Sequence, residues 1–221
     1  PDFEYAWRGI NFMSTREDIR TFFSLPLDFS MLELEPESGE DPVRYFCTPE
    51  NAELIGWGSS GTHFVLLPGD EAVYCVEPEL AGEGTFVLPV GADFREFLSH
   101  LLFCKCTSPL AQIFMMDEAR FRKLLRDNGA NTWPGCEADL RRQDASLALV
   151  AEMFQIQPQD PFQRVKALQA AFDPSVLNFS DEYYETLGLD NPRYPEGQDT
   201  VWYGSDVAAT QVIITKREDT P

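Results

Sequence analysis

Basic residues are scarce in this 221-residue chain: Lys and Arg total 17 against 37 Asp and Glu, a formal charge of −20. Phosphate recognition requires a basic face, so this balance opposes nucleic acid and an anionic membrane surface as partners and favours a basic protein. Histidine is rarer still, at two residues. No cluster of imidazoles is available for a zinc site, and no Ser/His or Cys/His motif surrounds either one. The five cysteines, Cys47, Cys75, Cys104, Cys106 and Cys136, are odd in number and lie in apolar segments. They do not form a disulfide framework, which points to a reducing compartment and a cytoplasmic address. No apolar run approaches the roughly 18 residues of a membrane span, and no charged start precedes an apolar signal region.

Catalytic signatures are missing as well. Gly56-Trp57-Gly58-Ser59-Ser60-Gly61 is Gly-rich, but no Lys-Ser/Thr follows it, so it fails as a phosphate loop. No Gly-x-Ser-x-Gly elbow occurs. Cys104-Lys105-Cys106 has no second pair for a zinc ribbon and reads as helix-end thiols. No cofactor and no catalytic residue is expected, although the carboxylate excess leaves a metal- or carboxylate-dependent hydrolase as the alternative.

What is present is material for a core. Hydrophobic residues make up 43% of the chain and 17 are Phe, enough to fold one main domain. Ser14-Thr15-Arg16-Glu17 is a capping box, followed by Ile19, Phe22 and Phe23 at helical spacing and stopped by Pro26. Residues 33 to 41 carry Glu33, Glu35, Glu37, Glu40 and Asp41 around Pro36 and Gly39 and read as an exposed acidic loop. Strands are expected at Val43 to Cys47, Thr62 to Leu67, Ala72 to Val76 and Thr85 to Val90. The turns between them, Gly56 to Gly61, Pro68-Gly69-Asp70, and Gly82 with Gly84, are short enough to make the sheet an antiparallel meander.

Asp93, with Glu96 three residues on, caps a helix that carries Phe94, Phe97, Leu98, Leu101 and Leu102 on one side, with His100 on its solvated side. Helices then start at Ser108-Pro109, continue through Asp117 to Asn128 with Gly129 as the stop, and resume over about 137 to 154, from Asp160-Pro161, and from Ser180 to Leu187. Arg120, Arg122, Lys123, Arg126, Arg141 and Arg142 fall on the outer faces of two of these. Late strands are expected at Thr200 to Tyr203 and Gln211 to Thr215. The fold class is therefore α+β: a mostly antiparallel sheet with helices on one side over residues 1–107, and a helical extension over 108–221 packed on the same core.

Ile55-Gly56-Trp57-Gly58-Ser59-Ser60-Gly61-Thr62-His63-Phe64, Ala72-Val73-Tyr74-Cys75-Val76, Pro89-Val90 and Asp93-Phe94-Arg95-Glu96-Phe97-Leu98 together resemble the SUKH superfamily over about residues 43 to 103. The Asn-Gly-Gly turn that usually follows Leu-Pro in that family is missing after Leu25-Pro26. The resemblance implies a mixed sheet with helices on one side and a protein-binding role, as in bacterial immunity proteins that neutralise delivered toxins. An acidic binder of this type would meet a basic toxin domain through Trp57, His63 and Tyr74 near the sheet and through Glu33, Glu35, Glu37 and Asp41 in the loop. The competing reading places Trp57 and Tyr74 in the core. A third reading makes the chain an adaptor that dimerises through its extension.

Overall fold

The computed structural model describes residues 15–37, 44–84, 86–130 and 134–194. Helices α1 (Thr15–Ser24) and α2 (Phe29–Leu32) lead into strands β1 (Glu53–Trp57), β2 (His63–Leu66), β3 (Val73–Val76) and β4 (Val87–Gly91). Six helices follow: α3 (Phe94–Cys104), α4 (Ser108–Ala111), α5 (Glu118–Ala130), α6 (Glu137–Phe154), α7 (Phe162–Ala171) and α8 (Asp181–Leu187). The strands form one antiparallel sheet in the order β1-β2-β3-β4, so the meander and the α+β class hold. Among the described residues no helix is long and apolar enough to cross a membrane.

Alternation along the strands divides the interior into two layers. Phe64, Leu66, Val73, Cys75 and Val90 face a core filled by Phe22, Leu32, Phe94, Phe97, Leu98 and Leu101. Leu110, Phe121, Val150, Phe154, Phe162 and Val165 belong to that same core, so α4 to α7 pack on it. Val65, Leu67, Tyr74, Val76 and Val87 face the opposite way and are covered by Cys47, Ala81, Phe86, Phe179 and Tyr183. The long helices thus lie on one side, while short segments and α8 close the other.

Local chemistry explains the framing of α3. Asp93 Oδ1 accepts from the Glu96 amide at 2.8 Å, and Glu96 Oε2 accepts from the Ala92 amide at 2.6 Å, so the capping box closes one residue upstream of the helix cap. Asp18, 2% exposed, takes two bonds from Arg95 at 2.7 and 3.0 Å, and Arg95 also donates to the Phe154 carbonyl at 3.2 Å. That bidentate pair ties α1, α3 and α6 together.

Several expectations are corrected. Arg44 to Cys47 is not a strand: it is irregular and then turns, with the Thr48 amide bonded to the Tyr45 carbonyl at 2.9 Å. Phe46 and Cys47, adjacent in sequence, pack on the second core without joining the sheet, and the first strand is β1. Gly56 accordingly lies inside a strand rather than opening a turn. The Glu35 and Trp57 backbones exchange hydrogen bonds at 2.7 and 2.8 Å, and a Cβ at Gly56 would stand 2.8 Å from the Glu35 carbonyl oxygen. The absence of a side chain is what admits that close approach.

His100 is not solvated. It is 1% exposed, its Nδ1 lies 2.9 Å from the Val90 carbonyl oxygen, and its Nε2 is buried without a hydrogen-bond partner. The helix is enclosed nearly all round by the sheet and by later helices, so it has no fully wet side at that position. Residues 108 to 116 break into α4 and a 3-10 turn before α5, and α5 runs past Gly129 to Ala130. Ser14, Val43, Thr85 and the two late strand candidates lie outside the described residues.

Candidate interaction face

The turn between β1 and β2 positions the side chains of interest. The Gly58 amide donates to the Thr62 carbonyl at 2.7 Å, and the Thr62 amide to the Ser59 carbonyl at 3.0 Å. Ser60 and Gly61 complete the reversal in the left-handed region, at φ 55° and 81°. At Gly61 both φ and space demand glycine, since a Cβ there would meet Tyr45 Oη at 2.6 Å. The turn delivers Trp57 and His63 as directly paired residues on adjacent strands, hence on one face.

His63 is fully buried. Its Nδ1 sits 3.0 Å from the Gly61 carbonyl oxygen and its Nε2 2.9 Å from Thr48 Oγ1. A carbonyl can only accept, so Nδ1 carries the proton and Nε2 accepts from the Thr48 hydroxyl. Burial holds the imidazole below its usual 6.5, a trend the Gly61 carbonyl partly opposes. Tyr45 stacks on the ring at 5.8 Å and 23°, and Trp57 leans on it at 5.0 Å and 46°. Tyr45 and Trp57 touch at 5.6 Å. Tyr45 keeps 39% of its surface exposed, and the half-buried Trp57 donates its indole N–H to Glu37 at 2.9 Å.

Across the sheet from this group, on the face of the first core, Thr62 donates to Glu77 at 3.0 Å and the Cys75 thiol lies 3.5 Å from the same carboxylate. Burial pushes Glu77 up, against the lowering effect of those two bonds.

Of the residues expected to bind a partner, Trp57, His63 and Glu37 come together, and Glu35 is joined to Trp57 by its backbone with its side chain exposed. Glu33 goes elsewhere. Its carboxylate accepts from the Ser108 amide at 3.1 Å and its carbonyl from Thr107 Oγ1 at 2.5 Å, so it fastens the end of α2 to the start of α4. The segment is therefore only partly an exposed loop: Leu34 is buried and Glu33 is engaged. Tyr74 is core, 5.2 Å from Phe172, and donates to Asp70 at 2.6 Å. Burial and then Asp70 raise its phenol well above its usual 10. Asp41 lies outside the described residues.

Sequence reasoning missed Tyr45 and Thr48. Tyr45 lies in a segment whose composition reads as a strand, and the one indirect signal for it is Gly61, a glycine whose missing side chain makes room for a neighbour.

Of the five thiols, Cys47, Cys75, Cys104 and Cys106 are weak nucleophiles, because burial raises each of them. All five are free, and burial pushes Cys47 to about 11 and Cys106 to about 12, the latter helped by Glu33. Among the described residues no group of three or more His, Cys, Asp and Glu side chains is arranged to hold a metal ion. Compared with protein-family models, curated proteins and solved structures, the chain matches none.

Proposed function

We propose that this chain is a non-enzymatic, acidic protein-binding module, and that it docks its partner on the strip formed by Tyr45, Trp57, Glu35 and Glu37. The observation that carries this reading is the Tyr45–Trp57–His63 cluster, an aromatic surface that emerges from the sheet with its indole bonded to Glu37. Rigid aromatics bury area at small entropic cost, and carboxylates at the rim steer a basic partner and fix its register. The −20 charge makes that steering long-ranged at low salt. Together with the SUKH-like pattern over residues 43 to 103, this favours a cytoplasmic immunity-type protein that neutralises a basic toxin domain.

Affinity capture from the native host at low ionic strength tests the proposal. The unaltered chain should retain a basic protein, released as salt rises, and Tyr45→Ala combined with Glu35→Gln should cut retention at least about tenfold, since two interface contacts of 1 kcal/mol or more are removed. Equal retention by the double variant moves the docking face elsewhere. Recovery of no basic protein at low salt removes the binding-module reading.

A further inference from the structure

We infer that the Tyr45–Trp57 pair is a receptor for a single cationic side chain of the partner, an arginine guanidinium. The inference rests on the docking reading above and goes further by naming the chemical group that this surface takes.

Four observations converge. Trp57 is the ring type with the strongest attraction for a cation, and Tyr45, 5.6 Å away and inclined at 51°, offers a second ring that is well exposed. The indole N–H is donated to Glu37, which pushes electron density towards the ring and sets a carboxylate at its edge. A cation lying on Trp57 therefore meets a π-face and an anion together. Glu35 is tied through its backbone to Trp57 on the same strand edge, with its side chain exposed, and supplies a second carboxylate near the mouth.

The fourth observation is what lies behind the rings. A charged imidazole packed against both would repel an incoming cation. His63 is instead fully buried, its one N–H engaged by Gly61 and its lone pair by Thr48, and burial holds its pKa below the ordinary range, so the backing is neutral at physiological pH. Among the described residues, the cations that lie over aromatic rings, Arg95, Arg122 and Lys166, use Phe rings at α3, α5, α6 and α7.

Arginine suits the site better than lysine. Its planar group stacks on an aromatic face while forking towards a carboxylate, and it sheds its hydration more readily than an ammonium.

The test uses ¹⁵N-labelled full chain and three short neutral-backbone peptides that carry arginine, citrulline or norleucine at the centre. The readout is the Trp57 indole N–H resonance, assigned by its loss in Trp57→Phe. The arginine peptide should shift it saturably and bind roughly threefold or more tighter than the citrulline peptide, which has the same shape without the charge. Glu37→Gln, folded as judged by an unchanged amide spectrum, should weaken the arginine peptide and leave the citrulline peptide unaffected.

Equal binding of all three peptides would make the patch a general apolar surface and overturn the inference, as would a shift with none of them. If the arginine peptide fails while capture of a basic protein still depends on Tyr45, the docking face stands and the cation receptor falls. If the peptide saturates while no protein is captured, the receptor stands and the partner reading falls.

Discussion

On the helical face of the sheet, Phe64, Leu66, Val73 and Cys75 meet the Phe and Leu side chains of seven helices. On the opposite face, His63, Val65, Tyr74 and Val76 meet a loop, a 3-10 turn and one two-turn helix. The first core is aliphatic and phenylalanine-rich and holds buried polar groups mainly where they brace helices, as Asp18 does with Arg95. The second carries three buried titratable rings, each with a specific partner: His63 with Thr48 and Gly61, Tyr74 with Asp70, and Tyr183 with the Ala81 carbonyl. Packing density makes the first face a source of stability. The second trades some of that for polar groups near a surface.

The sharpest way to break this contrast is to make matched cavities in the two cores. Phe97→Ala removes a fully buried ring held between Phe64 and Phe94 and should cost about 4 kcal/mol, because helices on every side cannot close the void. Phe179→Ala, at 8% exposure and covered by the short segment around α8, should cost about 2–3 kcal/mol, since that segment can settle inward. Urea unfolding of both variants measures the difference. Equal costs would mean that the second face is as integral to the fold as the first.

Mild acid should weaken the molecule before the carboxylates are reached. His63 and His100 are both held below 6.5, chiefly by burial. In the unfolded chain they take up protons as pH falls through about 6.5, while the folded chain resists. Stability is therefore complete above that pH and is lost as pH falls towards the folded-state values, with a slope of at most about 1.4 kcal/mol per pH unit for each histidine. Asp28, Asp70 and Glu96, all lowered, extend the loss further into acid, and Glu77, raised by burial, opposes it there. Unfolding free energies at pH 7.5, 6.5 and 5.5 should fall in that order. His63→Gln and His100→Gln should each flatten the slope, and an unchanged slope in both would show that neither ring is kept neutral.

How legible these regions were in the sequence differs in the same way. Helical periodicity and caps located α1, α3, α6, α7 and α8, because Asp93, Pro161, Ser180 and Gly188 act on their immediate neighbours. Three of the four strands were found through β-rich runs between turn residues. β1 was not, because Gly56 reads as a turn signal unless the Glu35 backbone is known to press against it. His100 was misplaced for a related reason: spacing along one helix cannot reveal that later helices enclose its far side. The candidate interaction face was half legible. Trp57, His63 and Glu37 stood out as chemistry, whereas Tyr45 and Thr48 reach His63 from 15 to 18 residues upstream along a segment without periodicity.

The smallest expected effect is the one that best separates the two faces. Tyr45 is exposed over 39% of its surface and touches mainly Trp57, His63 and the Gly61 turn, so Tyr45→Ala should cost about 1 kcal/mol at pH 7.5, the scale of a single aromatic pair. Its consequence for His63 is more distinctive. The tyrosine ring stacks on the imidazole, and removing it admits water to a group whose low pKa comes mainly from desolvation. The His63 pKa should then move up towards 6.5, and with it the acid loss of stability assigned to this residue should shrink, while that of His100 across the sheet stays as it was. Titration of the His63 Cε1 proton by NMR in both proteins measures the shift directly. A pKa that does not move would mean that Trp57 and Thr48 alone keep the imidazole dry, and that Tyr45 is held in place for what it presents to the outside.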